Sequence, residues 1–534
     1  VISEKAIKEF LKRELDSFEW VKALSPTQVE GSLSEIMTPL LTKNLWLHQK
    51  VGLLLMQYHS RFIFHYGMGG GKTLLMLTML RHRKLNGEKP KAIVMVPYLT
   101  AVDTWVEEVK KFAPELICLP LLGSSKENLE LLQGHNWDLA VIAYPSAVSA
   151  ITAKEGHTTP HLTPPNRTVP HRTKPHLTTP KKAKWHVDID LVKQSFGQCD
   201  TLILDEIHRV KGYNSLTFEM CRTISSWTNF CFGLSGTPFG RDLQDLWAEF
   251  YVVDFGETLG PNISFFRNIF FTRKAGFFGG VEFKFKKKYT GHLQRIIKNR
   301  SIHYSVKEFA DMPAKQYIQR RIQLPEGIKS YVEKELEKLE EGARNKDREV
   351  AGNAFMQLRQ LSSGFITFKD DDERIKVKFD SNPKLDILCE LIESMPPECK
   401  MVVFHDYVFT NQLISERLKE LKIGHARIWG GQHDQIGQLK KFREDENCRV
   451  LVINSKSGSS ALNLQFSNYM CFFECPISVI DREQAEARCW RPGQKNKVII
   501  FDLFVNGTVD ESHYTSVKEG GDFLNDFMQG KRRF

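Results

Sequence analysis

Gly69-Gly70-Gly71-Lys72-Thr73 lies between two apolar runs, Arg61-Phe62-Ile63-Phe64-His65-Tyr66 before it and Leu74-Leu75-Met76-Leu77-Thr78-Met79-Leu80 after it. A buried strand, a glycine-rich turn and a helix in that order form the context a phosphate-binding loop requires. The glycines let backbone amides approach phosphates, and the helix N-terminus adds positive charge. In such a loop Lys72 contacts the β- and γ-phosphates and Thr73 ligates Mg²⁺. The full eight-residue pattern asks for glycine at position 66, where this chain has Tyr66, but the Gly-x-Gly-Lys-Thr core is intact.

Working outward, short apolar runs alternate with amphipathic stretches. Ala92–Pro97, Leu139–Tyr144 and Thr201–Asp205 read as buried strands, and this rhythm predicts an α/β fold with a parallel sheet covered on both faces. The last of these runs ends in Asp205-Glu206. A carboxylate at a buried strand end suits a Mg²⁺ beside a phosphate loop, with Asp205 on the metal and Glu206 orienting or deprotonating a water. A second series, Met401–Phe404, Arg449–Ile453 and Val498–Phe501, predicts another sheet. Glu326 to Ser363 carries charged helical patterning between the two.

The chain has 534 residues, 41% hydrophobic and 26% charged, as in an ordinary globular protein. No apolar run reaches the ~18 residues of a membrane helix, and the Lys/Glu-rich start is no secretory signal. The Val1 start implies a removed methionine or a trimmed chain. Lys and Arg outnumber Asp and Glu by 74 to 64, a net +10 that favours a polyanionic partner. Ten cysteines without a Cys-x-x-Cys pair fit a reducing compartment. Cys471, in an apolar run, reads as a buried strand thiol rather than a metal ligand with Cys475. From about 153 to 184 an imperfect Pro/Thr/His repeat cannot bury a core and predicts a mobile loop. Lys284-Phe285-Lys286-Lys287-Lys288-Tyr289, after Gly279-Gly280, predicts a basic hairpin within about 279–289.

Further stretches carry a resemblance. Leu45-Trp46-Leu47-His48-Gln49-Lys50, Val96-Pro97-Tyr98-Leu99 with Trp105 to Pro114, Asp205-Glu206-Ile207-His208, Leu234-Ser235-Gly236-Thr237-Pro238, Ser455 to Leu464, and Gln484-Ala485-Glu486-Ala487-Arg488-Cys489-Trp490-Arg491-Pro492-Gly493-Gln494 follow in order. Together with the phosphate loop they resemble the superfamily-two nucleic-acid translocases of the Swi/Snf type, over Leu45 to about Asp510. Ser459, Ala461, Arg241, Glu474 and the segment near Gln435–Gln438 depart from that family's pattern.

The resemblance implies two RecA-like lobes, P-loop NTPase units with parallel sheets flanked by helices, and a helical projection between them. The expected boundaries are an accessory helical segment at 1–38, lobe one at 39–310, linker and projection at 311–385, lobe two at 386–515 and a tail at 516–534. It implies ATP and Mg²⁺ as cofactors. The nucleotide set is Gln49 on the adenine, Gly69, Gly70, Gly71, Lys72 and Thr73, with Thr73 and Asp205 on the metal. The catalytic set is Lys72, Asp205, Glu206, Gln484, Arg488 and Arg491. Helical spacing puts Arg488 and Arg491 on one face, from which both serve as arginine fingers. Ser235, Thr237, Gly458 and Asn463 are expected to couple ATP state to nucleic-acid grip. The implied activity is DNA-dependent ATP hydrolysis driving movement along double-stranded or branched DNA. A strand-separating helicase on forked DNA and a non-hydrolysing, nucleotide-switched scaffold stand as alternatives. The expected protein is a compact intracellular motor, monomeric when free and without a membrane partner: cytoplasmic if microbial, in host cytoplasm if viral, nuclear if eukaryotic.

Overall fold

The computed structural model describes residues 9–13, 15–154, 185–236, 243–275, 281–370, 373–429, 434–456 and 462–519. The Pro/Thr/His repeat beyond residue 154, the turn before the basic hairpin, Thr237, Gly458 and residues 520–534 of the expected C-terminal tail lie outside them.

The first sheet has seven parallel strands: β1 (Arg61–Tyr66), β2 (Ala92–Val96), β3 (Cys118–Leu121), β4 (Leu139–Ala143), β7 (Thr201–Asp205), β8 (Phe230–Ser235) and β11 (Ser301–Tyr304). Their order is β11-β1-β8-β7-β2-β4-β3. β2 and β4 are buried along their whole length. That explains their uninterrupted apolar sequence, because helices cover both faces of the sheet. Side excursions form two antiparallel pairs: β5 (Thr152–Lys154) with β6 (Trp185–Val187), and β9 (Phe271–Ala275) with β10 (Val281–Phe285).

The second sheet is also parallel. It contains β12 (Lys315–Ile322), β15 (Met401–His405), β16 (Gly424–Ile428), β17 (Cys448–Asn454), β18 (Tyr469–Phe472) and β19 (Val498–Val505), ordered β12-β19-β18-β15-β17-β16. These are the two RecA-like lobes. β12 falls in the stretch expected as linker. It is an edge strand with mostly exposed side chains, so its sequence, Lys-Gln-Tyr-Ile-Gln-Arg-Arg-Ile, lacks the apolar run that marks the central strands.

Within the second lobe, after its first strand β12 and not between the lobes as expected, the helices Glu326–Arg344 and Arg348–Ser362 form a hairpin around Val332, Leu339, Ala354, Phe355 and Leu358. Asp347 caps the second helix through the amides of Glu349 and Val350. A further hairpin, β13 (Phe365–Asp370) with β14 (Glu373–Lys378), follows it. Near the N-terminus, the helix Pro26–Ser34 opens with a Ser25/Gln28 capping box. Its Val29 and Leu33, with Met37 beyond, are buried in the core cluster that holds Phe62, Phe64 and Tyr66. No helix among the described residues is long and apolar enough to cross a membrane.

Candidate nucleotide site between the lobes

The chemistry gathers at the C-terminal ends of β1, β8 and β7, which are adjacent in the sheet. β1 ends in Tyr66, fully buried, its hydroxyl donating to the His48 carbonyl at 2.8 Å. Position 66 is therefore a strand end in the core, with no call for glycine's conformational range. The glycines that the turn does require are Gly69 and Gly71, both left-handed at φ 78° and 70°. Gly71 leads into the helix Lys72–Leu85.

Gln49 braces this loop from the helix Leu47–Tyr58. Its Oε1 accepts from the Trp46 amide at 2.8 Å, and its Nε2 points at the Gly70 and Gly71 carbonyls, 3.4 Å from each. His48 Nε2 donates to the Gly70 carbonyl at 2.7 Å. Burial pushes the His48 imidazole down to about 4, so the ring is neutral at physiological pH. Lys72 Nζ donates to the Tyr66 carbonyl at 3.1 Å and lies beside Gly236.

Asp205 and Glu206 follow β7. Trp105 Nε1, from the helix Leu99–Phe112, donates to Asp205 Oδ2 at 3.1 Å. Burial and then the Glu206 charge push the Asp205 carboxyl well above its ordinary range, against the pull of Trp105 and Lys72. Glu206 behaves oppositely. Burial alone would raise it, but the His208 hydrogen bond and charge, with Lys72 behind them, hold it below its ordinary value. Glu206 adopts a left-handed φ of 52°, a strained conformation for a side-chain-bearing residue. His208 Nδ1 stands 3.3 Å from Glu206 Oε2.

The second lobe reaches this site through the helix Val479–Cys489 and the turn after it. The two arginines do not share a helix face. The helix stops at Cys489, and Trp490 takes ψ 83°. Pro492 follows, which has no backbone N–H to extend the helix and disfavours helical geometry at Arg491. Arg488 is therefore packed inside lobe two. It is 4% exposed, with Nη2 donating to the Ser455 carbonyl at 3.3 Å and the guanidinium 5.7 Å from the Phe404 ring centroid. Its Nε and Nη1 find no partner among the described residues, and burial lowers it to about 10. Arg491 lies beyond the helix and feels the charge of Glu108 in lobe one.

The two lobes meet here. A methyl group added to Gly69 would lie 2.6 Å from Pro492 Cδ and 3.8 Å from Arg491 Cβ. Arg209, after the acidic pair, stacks 4.5 Å from the Tyr98 ring centroid and feels the Asp481 charge from the first turn of the arginine helix. The phosphate loop and the arginine segment thus touch. The sequence order had not disclosed the roles of Trp105, Glu108 and Arg209. All three lie in motif stretches, but their partners are remote in the chain.

Of the other expected residues, Gln484 is buried one helical turn before Arg488, and Ser235 is buried at the end of β8, in register with His65. Asn463 Oδ1 accepts from the Gln465 amide at 3.2 Å. Glu474 is buried, accepting from the Asp406 amide at 2.6 Å and the Thr410 hydroxyl at 2.5 Å. The donors fit a hard divalent cation. Asp205 offers an oxygen whose negative charge is costly without a nearby cation, and Thr73 offers a half-buried hydroxyl on the first turn after the loop. Bound Mg²⁺ would supply positive charge to the β- and γ-phosphate oxygens.

A glycine-rich phosphate loop and a strand-end acidic pair on one lobe, met by an arginine segment from another, define a two-lobed P-loop nucleotide-binding protein. The chain belongs to the SNF2-related domain family, which matches residues 48–363, more than half of its length. The helicase conserved C-terminal domain matches residues 383–493. A similar mouse protein is the SWI/SNF-related matrix-associated actin-dependent regulator of chromatin subfamily A containing DEAD/H box 1. It is 22% identical over 90% of this chain and 50% of the relative. ATP-dependent helicase fft2 of Schizosaccharomyces pombe is 22% identical over 87% of this chain and 39% of that protein. This chain thus spans about half the length of such relatives, or less. Among solved structures, the Sulfolobus solfataricus SWI2/SNF2 ATPase core in complex with dsDNA aligns with a TM-score of 0.37. It is 18% identical and covers 91% of this chain and 94% of that one.

Proposed function

We propose that this chain is an ATP-driven motor that moves along duplex DNA and displaces proteins or remodels branches in its path. The carrying observation is the contact of Gly69 with Pro492 and Arg491, which brings the arginine segment of one lobe onto the phosphate loop of the other. In this reading the loop amides and Lys72 hold the β- and γ-phosphates, and Thr73 and Asp205 hold the metal. Glu206 takes a proton from the attacking water, at the oxygen opposite the His208 contact. Arg491 reaches the γ-phosphate from the turn. Arg488, with two guanidinium nitrogens unpartnered among the described residues, reaches it on further closure, and Gln484 lies one turn behind. Gln49 positions the loop and the base. Ser235 and Asn463, with Thr237 and Gly458, couple nucleotide state to grip on the track.

Duplex DNA is favoured as the track by the net charge of +10 and by the Trp105–Pro114 and Gln484–Gln494 stretches. The test is steady-state ATP hydrolysis with and without blunt duplex. Strong stimulation is expected, and hydrolysis indifferent to DNA would remove the motor reading in favour of a scaffold. Blunt, forked, four-way and protein-bound duplexes then separate translocation from strand opening. Loss of strands from forked substrate alone would favour the unwinding alternative.

A further inference from the structure

The positive charge of the chain is concentrated. Between Phe271 and Arg300 stand nine Lys or Arg residues and a single acid, Glu282, against a net charge of +10 for the whole sequence. Four of the nine are engaged within the protein. Lys286 Nζ donates to the Asn268 and Ile269 carbonyls at 2.9 Å each, and Arg295 donates to His292 Nδ1 at 3.2 Å. Lys298 pairs with Glu19 at 2.5 Å and Arg300 with Glu257 at 2.6 Å. The other five, Arg273, Lys274, Lys284, Lys287 and Lys288, are exposed and have no carboxylate partner among the described residues.

The β9–β10 register sorts these residues by side. Residues opposite each other in an antiparallel pair point the same way, and the direction alternates along each strand. Phe271 lies opposite Phe285, and Arg273 opposite Phe283. This side packs inward: Phe271 is buried with its ring edge-on to Phe285 at 5.5 Å, and Phe283 and Phe285 pack on the lobe-one core. Lys274 opposite Glu282, and Thr272 opposite Lys284, form the other side, exposed at all four positions. Lys287 and Lys288 follow in the turn Lys287–Tyr289. The hairpin is also fixed to lobe one. The Arg267 guanidinium lies 4.3 Å from the Phe283 ring centroid, and its Nε donates to Gln244 Oε1 at 2.7 Å. Its Nη1 donates to the Tyr213 hydroxyl at 3.3 Å. Gln244 opens the helix that follows the Ser235 strand end, and Tyr213 lies just beyond the turn after Glu206.

We propose that the exposed side of the β9–β10 hairpin, with the Lys287–Lys288 turn, binds the phosphate backbone of duplex DNA, as a contact separate from Ser235, Thr237, Gly458 and Asn463. This rests on the duplex-track reading above. Charge complementarity selects the occupant: lysines without counter-charges gain affinity by releasing counterions from phosphates. A protein partner fits poorly, because the exposed side offers Thr272, Lys274, Glu282 and Lys284 and no apolar residue for an interface core, where lysine is depleted. The contact positions the track without reading its sequence, since lysines on a flat two-stranded surface meet phosphates rather than base edges. Through Arg267, the grip is joined to the segments that follow Ser235 and Glu206.

The experiment compares wild type with two quadruple variants of equal charge change. The hairpin variant carries Lys274→Gln, Lys284→Gln, Lys287→Gln and Lys288→Gln. The control carries Lys193→Gln, Lys329→Gln, Lys334→Gln and Lys419→Gln, four exposed lysines elsewhere. The readouts are anisotropy of a labelled blunt duplex over a range of salt, ATP hydrolysis without DNA and across a duplex titration, and thermal melting. The hairpin variant is expected to bind duplex about tenfold or more weakly at low salt, with a slope of log affinity against log salt shallower by about two to four. The DNA concentration giving half-maximal stimulation should rise in step. Hydrolysis without DNA and melting should match wild type, because none of the four lysines lies at the nucleotide site. Wild-type affinity and slope in the hairpin variant overturn the proposal, as does an equal loss in the control, which would make the effect one of net charge alone. A wild-type chain that binds no duplex removes the track reading itself; a wild type that binds, with an unaltered hairpin variant, removes only the role of the hairpin.

Discussion

The contact between the lobes can be tested by one methyl group. Gly69→Ala places a carbon 2.6 Å from Pro492 Cδ and 3.2 Å from Pro492 Cγ. Carbon atoms settle about 3.5–4.0 Å apart, so the second lobe must retreat by roughly 1 Å at this point. A displacement of that size between reacting groups costs roughly 10²-fold in rate, or about 2.7 kcal/mol of barrier. The substitution also forces alanine into a left-handed conformation, at about 1–2 kcal/mol of stability. Gly87 separates the two effects. It has φ 85°, like Gly69 at 78°, yet an added methyl there meets nothing within 4 Å. Gly87→Ala should therefore lose comparable stability and keep its turnover, whereas Gly69→Ala should lose both. Steady-state hydrolysis with duplex DNA, beside thermal melts of the two variants, gives the answer. Equal turnover in the two variants, whether both intact or both crippled, would refute the reasoning that closure passes through this contact.

The remaining expectations are briefer. Lys72→Ala and Glu206→Gln should abolish hydrolysis with melting temperatures near wild type, and full DNA-stimulated turnover in either would overturn the site assignment. Chelation of divalent cations by EDTA should stop hydrolysis, with added Mg²⁺ restoring it. Arg482 is buried and bonded to Asp502 at 2.5 Å and Glu486 at 2.8 Å; Arg482→Ala should destabilise lobe two by roughly 3–5 kcal/mol in urea, because it strands buried carboxylates. His48 has a folded pKa of about 4 against 6.5 unfolded, so protons favour the unfolded chain as pH falls from about 6.5 toward 4. From this group alone stability should drop by roughly 2 kcal/mol between neutral pH and pH 5. His48→Gln should flatten that part of the slope in urea melts at the two pH values, and an unchanged slope would disprove the burial argument.

Central strands announced themselves in the sequence, edge strands did not. β2, β4, β7, β15 and β17 are covered on both faces, so their residues are nearly all apolar. β11 and β12 each have one unpaired edge, and β12 exposes most of its side chains. The phosphate loop and the acidic pair were legible because local backbone chemistry dictates their residues. Tyr66 looked like a departure only because the sequence conceals that its side chain points into the core. Arg488 and Arg491 were legible as residues but not as geometry. Spacing along an unbroken helix puts them together, while the helix ends between them, ahead of Pro492. Glu249 gave no signal, since a lone acid on a helix reads as solvent-facing until its burial is seen.

The strap joining the lobes is anchored at both ends to the fuel pocket. Val306 packs on Gly67 and the Phe309 ring lies under Gly70, at the end where the chain leaves the first sheet. Pro313, just before β12, accepts a hydrogen bond at 2.7 Å from the Trp490 indole, the residue preceding Arg491. A hinge at this strap would therefore sit beside the nucleotide site rather than across from it. In the proposed motor, yielding at this strap would displace the outer rims of the lobes farther than the nucleotide site, and tension on either rim would return along the same short tether to the arginine turn.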